Sequence, residues 1–530
     1  MAQFANLRDA VAAELEKAHG IPENGLNEVF TLDKLPPAFS LSSLREAIVP
    51  EGTKDRIELV GGIVLLDVCL RESSRVQRHE GDAEHISKLY DFVTEALKPP
   101  RHLLPYSDFE ERPPKDDKAL SQFHELSRLS VHNLDRLDLL LPLSHYPRYS
   151  SLIKVLACFT DTRDSWTGND TQKLVTAFLA RYQSLLRQEE VLVEECLQRA
   201  VRPAFSSSRP STVTSQGRKA MFRSAEGQSS FIDETSSKPW KFGAAYTVTL
   251  FQWVLQNLLV WYRLSSSDHW PLLVPPILAL LDDESVMNKA KGAELLSLLL
   301  ELTSSALLTR TGLFDVFRDA LLPCLHYLPT LTPQHESILI LNETYPALRT
   351  IARVRYPTRK DEPERSSFLD GVLREGLLSG YSHCAENVAV SGVLMKQLSK
   401  VVDALGIDST KHLKSIIPLL ISILTDPFSN ASPSLLMAAM HTLQTVVLNS
   451  WPRIAHWRGD ILLGLTVCWI KLQEDPIEEK QELERGLTDI LKLLTTAVGS
   501  EVDWNCEVES LMRVRTDLTG LFQPVLDAIH

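Results

Sequence analysis

Residues 268–302 read D-H-W-P-L-L-V-P-P-I-L-A-L-L-D-D-E-S-V-M-N-K-A-K-G-A-E-L-L-S-L-L-L-E-L, and this stretch decides the fold. An apolar run with an early proline ends in an acid pair, Asp282 and Asp283. A short turn follows, then two lysines, Gly292 and a second, almost wholly apolar run. That order predicts one helical hairpin of the HEAT type. Such a unit cannot bury both of its faces alone, so neighbours stacked on either side are required. The expected fold is therefore all-α, an α-solenoid of HEAT-like hairpins.

Each residue type has a physical reason to sit where it does. Asp268 is placed to cap the first helix, accepting hydrogen bonds from unpaired amides and complementing the helix dipole. Pro271 falls in the first turn, where a missing N–H costs nothing, whereas Pro275 and Pro276 fall later and predict a kink. Leu273, Ile277, Leu280 and Leu281 share the face directed at the second helix. In that helix Ala293, Leu295, Leu296, Leu299, Leu300 and Leu302 cover more than one face, the pattern of an inner layer. Asp283 is expected to accept hydrogen bonds from the amides that open it.

The pattern returns downstream. Leu273-Val-Pro-Pro-Ile-Leu-Ala-Leu-Leu-Asp-Asp283 lies on Ile416-Ile-Pro-Leu-Leu-Ile-Ser-Ile-Leu-Thr-Asp426 without a gap, 143 residues on. Pro275 meets Pro418, Leu281 meets Leu424 and Asp283 meets Asp426. That spacing corresponds to about three units of ~47 residues. Between and beyond the two copies, helical pairs are read at Gly312–Tyr327 with Pro323, Pro333–Tyr356, Ile461–Leu472 and Glu482–Val498. A stripe from Leu394 to Leu405 closes at Gly406, and the chain's last helical run is Leu511–Ile529. Arg355–Arg365, with seven charges among eleven residues and two prolines, is expected to be a solvated loop between repeats.

Upstream, residues 3–19 carry Phe4, Leu7, Val11, Leu15 and Ala18 on one stripe and predict a packed first helix. Ile57–Leu66 fits a buried helix or a strand, and its helical context favours helix, with Gly61-Gly62 allowing close approach of a neighbour. Leu120–Leu143 and Leu174–Val201 are long helical patterns, with Asp170 or Thr171 as a cap for the second. The tryptophan-bearing helix Tyr246–Tyr262 presents a broad apolar face. From Ser206 to Ser237, 13 of 32 residues are Ser or Thr, which predicts a flexible insertion. Its serines are candidate phosphorylation sites, Ser230 with an acid three residues on being one. The expected organisation is an N-terminal helical region over 1–202, an insertion over 203–239 and a C-terminal repeat region over 240–530.

Composition excludes several function classes. The formal net charge is −13, which opposes sequence-nonspecific binding to nucleic acid or to an anionic membrane. Seven cysteines stand singly with no C-x-x-C pair, the usage of reduced intracellular thiols. The first residues have no basic segment followed by an apolar run, so no secretory signal is expected. No phosphate-binding glycine loop, nucleophile elbow or H-E-x-x-H motif is present. His79 and His85 are six apart, whereas two ligands on one helical face need a separation of four, so a solvated turn is expected there. Asp282 with Asp283 is a poor catalytic pair because adjacent side chains seldom enter one site. Asp268-His269 offers half a triad with no identifiable nucleophile. The expectation is a protein that is not an enzyme and has no cofactor.

Taken as an ordered set, five motifs narrow the reading. They are H-W-P-L-L-V-P-P-I-L-A-L-L-D-D at 269–283, K-G-A-E-L-L at 291–296, R-T-G-L-F-D-V-F at 310–317, L-P-C-L-H-Y-L-P at 322–329 and T-P-Q-H-E-S at 332–337. With K-P-W-K at 238–241, they resemble the family of the second Tel-two-interacting protein, with fungal character. The likeness is close over 238–357, pattern-deep over 358–530 and faint before 203. It implies a non-catalytic scaffold subunit of the TTT cochaperone, in the cytoplasm and nucleus. Its partners would be Tel-two and the first Tel-two-interacting protein. Through them it would meet the ninety-kilodalton heat-shock chaperone and client phosphatidylinositol-3-kinase-related kinases. The central block is carried over as a structural or partner-facing signature, on Trp270, Pro275, Pro276, Asp282, Asp283, Lys291, Gly292, Gly312 and Pro323. The same architecture and acidity also suit a transport or adaptor protein of the importin or adaptin kind.

Overall fold

The computed structural model describes residues 4–17, 21, 35–49, 56–105, 117–208, 210, 212–214, 216–220, 238–261, 269–474, 477–499 and 504–529. Two units emerge, one comprising 1–211 and 223–276, the other 212–222 and 277–530. The division falls within one helix, after Pro276, whereas composition pointed to the Ser/Thr-rich stretch as the boundary. The reason is packing: residues 240–261 bury their aromatic face in the first unit, with Trp240 stacked on Phe205 at 5.1 Å.

The first unit contains α1 (Ala5–Lys17), α2 (Leu41–Ile48), α3 (Arg56–Arg71), α4 (Asp82–Ala96) and α5 (Asp117–Leu140). After these come α6 (Tyr149–Ala157), α7 (Asn169–Arg181), a π-helical segment Glu190–Val201 and α8 (Tyr246–Trp261). Helices α1, α3, α5 and α7 pack in sequence as one row. Helices α2, α4 and α6, the π-helical segment and α8 form a second row. Ile57–Leu66 is helical, and a Cβ at Gly62 would come within 2.5 Å of Phe92, so the close approach is met there. The long pattern at 174–201 is broken into three helical pieces, and α7 begins at Asn169 after Gly168, ahead of the expected caps. Helix α6 lies between the two long patterns, outside both predicted ranges. A two-residue parallel pairing joins β1 (Phe39–Ser40) with β2 (Val76–Gln77).

The second unit runs α9 (Trp270–Asp282, shared with the first), α10 (Val286–Leu302), α11 (Ser305–Thr311), α12 (Leu313–Leu321) and α13 (Gln334–Arg355). It continues with α14 (Glu362–Gly371), α15 (Ser379–Cys384), α16 (Val388–Leu405), α17 (Leu413–Thr425) and α18 (Pro433–Asn449). The last helices are α19 (Arg458–Glu474), α20 (Lys480–Val498), α21 (Trp504–Val514) and α22 (Thr519–Ile529). Helices α10, α13, α16, α18 and α20 pack each on the next. They form the apolar inner layer of a HEAT-like α-solenoid, and α17 and α19 lie side by side in the other layer.

The internal repeat is literal at the level of elements. Helices α9 and α17 both have 13 residues, carry proline at the sixth position and are followed directly by an aspartate, Asp283 and Asp426. Their partners α10 and α18 both have 17 residues. Leu273, Ile277 and Leu280 are buried in one copy, as are Ile416, Leu420 and Ile423 in the other. Helix α9 remains one element through Pro275 and Pro276. The expected solvated loop at 355–365 is only half right. Thr358 and Asp361 form a capping box, and Pro363 sits near the start of α14, where proline costs nothing.

Candidate functional site

The turn between α9 and α10 is built by Asp283. Its Oδ1 accepts from the Ser285 amide at 2.9 Å and from Asn288 Nδ2 at 3.0 Å, with the residue itself 3% exposed. The carboxylate therefore binds one step before the helix opens rather than on its first amides. The second copy repeats the design, Asp426 Oδ1 accepting from the Phe428 amide at 2.7 Å. Lys289 reaches back from α10 to donate to the Leu281 carbonyl at 2.8 Å, pairing an oxygen that ends α9. In the second copy the Asp426 carbonyl accepts from Lys471, which comes from α19 and not from the partner helix α18.

Gly292 is where the two helices touch. A Cβ there would lie 2.9 Å from both the Leu281 nitrogen and its Cγ, and 3.1 Å from Leu280. Trp270 is fully buried at the start of α9, and its indole N–H finds no hydrogen-bond partner among the described residues. Asp282 is exposed, Pro276 is buried and Pro275 is half-buried. Lys291 lies 3.6 Å from Glu294 along α10. The cap assigned to Asp268 lies outside the described residues.

A second contact set surrounds the R-T-G-L-F-D segment. Gly312 ends α11 in the left-handed region, φ +69°, a conformation that side chains with a Cβ resist. Against it rests a short hairpin from the stretch expected to be flexible. Thr214 donates to the Arg218 carbonyl at 2.8 Å and Ala220 to the Thr212 carbonyl at 2.8 Å. Lys219 then donates its amide to the Thr311 carbonyl at 3.0 Å and its Nζ to Asp315 at 2.9 Å. The ion pair holds the Asp315 carboxyl below the usual range. The rest of the Ser/Thr-rich stretch, Ser230 included, lies outside the described residues, apart from a short turn at Ser206–Ser208 and Pro210. Phe314 packs on Tyr356 and Phe368 with Arg318 and Arg355 near its ring, a cluster no spacing rule marks. Pro323 is exposed in the 3₁₀ turn that follows α12. The nine motif residues thus serve two separate turns and a helix contact and do not converge on one point.

Nothing convergent appears elsewhere among the described residues. No group of three His, Cys, Asp or Glu side chains is disposed to hold a metal. His79 and His85 flank a turn in which Asp82 accepts from the His79 amide at 2.8 Å. His269 stands 3.8 Å from Glu189, with no serine or cysteine among the described residues hydrogen-bonded to it. A cleft of about 880 Å³ is lined mainly by apolar residues of α1, α3 and α5, with Arg8 and Glu58 3.9 Å apart in its wall. Six cysteines are buried, and burial pushes the Cys69, Cys196 and Cys468 thiols up to about 12. No single described helix is long and apolar enough to cross a membrane.

Comparison with known proteins gives two findings. A model of the Tti2 family matches residues 152–431. A crystal structure of importin beta is similar at 11% identity and TM-score 0.45, over 89% of this chain and 56% of that one. The chain therefore spans little more than half the length of that importin beta.

Proposed function

Because the chain belongs to the Tti2 family, we propose that it acts as a non-catalytic scaffold subunit of the TTT complex, holding Tel-two and the first Tel-two-interacting protein together. In this role it supports maturation of phosphatidylinositol-3-kinase-related kinases by the ninety-kilodalton heat-shock chaperone, in cytoplasm and nucleus. The observation that carries the reading is the family match over 152–431, which spans both turns described above and most of the stacked hairpins. A solenoid suits the task physically. Its repeats present long faces whose burial against a partner supplies affinity without a ligand pocket.

The test is affinity purification of the full chain from its native cells, followed by depletion. Recovery of a constitutive complex with two other large helical proteins, and a joint fall of several of these kinases on depletion, is expected. Recovery of a nucleotide-dependent small GTPase instead, with kinase levels unchanged, overturns the proposal in favour of a transport role.

A further inference from the structure

The exposed side of the inner layer carries a cationic stripe on a chain whose formal charge is −13. Lys396 and Lys400 are exposed one turn apart on α16, and Arg349 is half-buried on α13. Helices α13 and α16 start at one level, where Asn387 Nδ2 donates to Gln334 Oε1 at 3.1 Å. Fifteen residues on from Gln334 stands Arg349, and thirteen on from Asn387 stands Lys400. At ~1.5 Å per residue the two cations differ by about 3 Å in height on adjacent helices. None of the three makes an ion pair or side-chain hydrogen bond among the described residues, although burial costs the Arg349 guanidinium part of its hydration and lowers its pKa. The nearby acids offset them only in part: Glu301 is taken by Arg353, Glu343 stands on α13 and Asp403, three residues after Lys400, is exposed on α16. The next helix, α18, has no charged residue at all.

The stripe runs directly into an apolar cluster. Ser399 and Thr445 hydroxyls meet at 2.8 Å, which places Leu448, one turn further along α18, beside the Lys400 turn. Ser409 and Ser450 hydroxyls meet at 3.0 Å, which brings the loop of Ile407 to the start of the Trp451 turn. Ile407, Leu448 and Trp451 are each 59% exposed. An exposed tryptophan flanked by two large aliphatic side chains is the composition of an interface centre.

We propose that this face, Arg349, Lys396 and Lys400 with Ile407, Leu448 and Trp451, is a docking surface for an acidic amphipathic segment of a partner protein. The segment lays carboxylates on the cations and apolar side chains on the cluster. The identification of the partner as a subunit of a larger assembly rests on the function proposed above; the chemistry of the face does not. Charge complementarity selects the occupant: three cations stand against one exposed acid on α16, Asp403, and a desolvated arginine gains most from a bidentate carboxylate. The surrounding acidic chain and the apolar half of the face disfavour a nucleic-acid backbone, which needs an extended basic track.

Fluorescence anisotropy on the full chain tests this, using a labelled helical peptide of about five turns with glutamates on one face and leucines on the other. Lys396→Glu with Lys400→Glu should weaken binding on the order of tenfold or more and flatten its salt dependence. Trp451→Ala should weaken it by roughly tenfold, while Lys173→Glu, exposed on α7, should leave it unchanged. Circular dichroism checks that the variants are folded. The proposal is overturned by no binding, by equal binding of all variants, by tighter binding of single-stranded DNA, or by a Trp451-dependent dimer. The same variants in the affinity purification separate the two readings. A wild-type chain that recovers no helical partner refutes the scaffold function. A wild-type chain and face variants that recover it equally refute only this surface.

Discussion

Gly292 stands against the backbone of Leu281 so closely that a single added carbon would lie 2.9 Å from its nitrogen. The hairpin contact is thus set by the absence of a side chain, and the neighbouring atom is main chain, which cannot swing away. Replacing Gly292 by valine should force α9 and α10 apart at a cost of about 1–3 kcal/mol. Urea unfolding followed by circular dichroism measures it. Partner recovery should fall only in proportion to stability. A variant of native stability that loses its partner would show that Gly292 faces the partner and not its own hairpin.

The two aspartate turns supply an internal control. Asp283→Ala strands the Ser285 amide and the Asn288 side chain at a buried turn, and about 1–3 kcal/mol should be lost. Asp426→Ala removes the equivalent bond to Phe428 at an exposed turn, where water replaces it, and the loss should stay below about 1 kcal/mol. Equal losses would mean that the turns are not the same device.

Lys219→Ala should release the 212–220 hairpin from α12 while global stability changes by no more than about 1 kcal/mol, since the pair is half-exposed and screened. Amide hydrogen exchange at Lys219 and Ala220 should accelerate. The pH dependence follows from the depressed Asp315 carboxyl. Its contribution is complete above the ordinary value of 3.8 and is lost as pH falls through the lower folded value. Raising the pH from 6 to 8 should therefore leave this contact unchanged.

Thiol titration offers a direct reading of burial. Of the seven cysteines only Cys506 is exposed. Burial raises the other six, Cys324 and Cys384 to about 11 and Cys69 to about 12. Ellman's reagent should find one fast thiol in the native chain and all seven in denaturant. A second fast thiol would show that one of the segments carrying the buried cysteines, such as α3, α15 or α19, opens in the native chain.

The repeat was legible in sequence because its signals are local. Proline position, terminal aspartate and apolar spacing all act within one hairpin, and the two copies keep them although most of their residues differ. The 212–220 hairpin was not legible, since serines and threonines predict no burial and the docking depends on Asp315, far along the chain. Pro363 misled for a related reason: proline breaks a helix interior but starts a helix equally well, and only Thr358 with Asp361 tells which. The cationic stripe was hidden because Arg349, Lys396 and Lys400 join only when α13 and α16 lie side by side. The family motifs, by contrast, mark turns and a glycine contact, so they identify the protein without marking the surface it presents.

The chargeless helix α18 has a consequence for how ionic strength acts on the stack. Its register against α16 is held by hydroxyls, Thr442 donating to the Met395 carbonyl at 2.9 Å and Thr445 meeting Ser399. The seam between α10 and α13, two along the row, adds the ion pair of Arg353 with Glu301. Salt screens the second and leaves the first untouched. Ionic strength is therefore a one-sided lever on this solenoid, loosening the seam beside α10 while the seam beside α18 keeps its alignment.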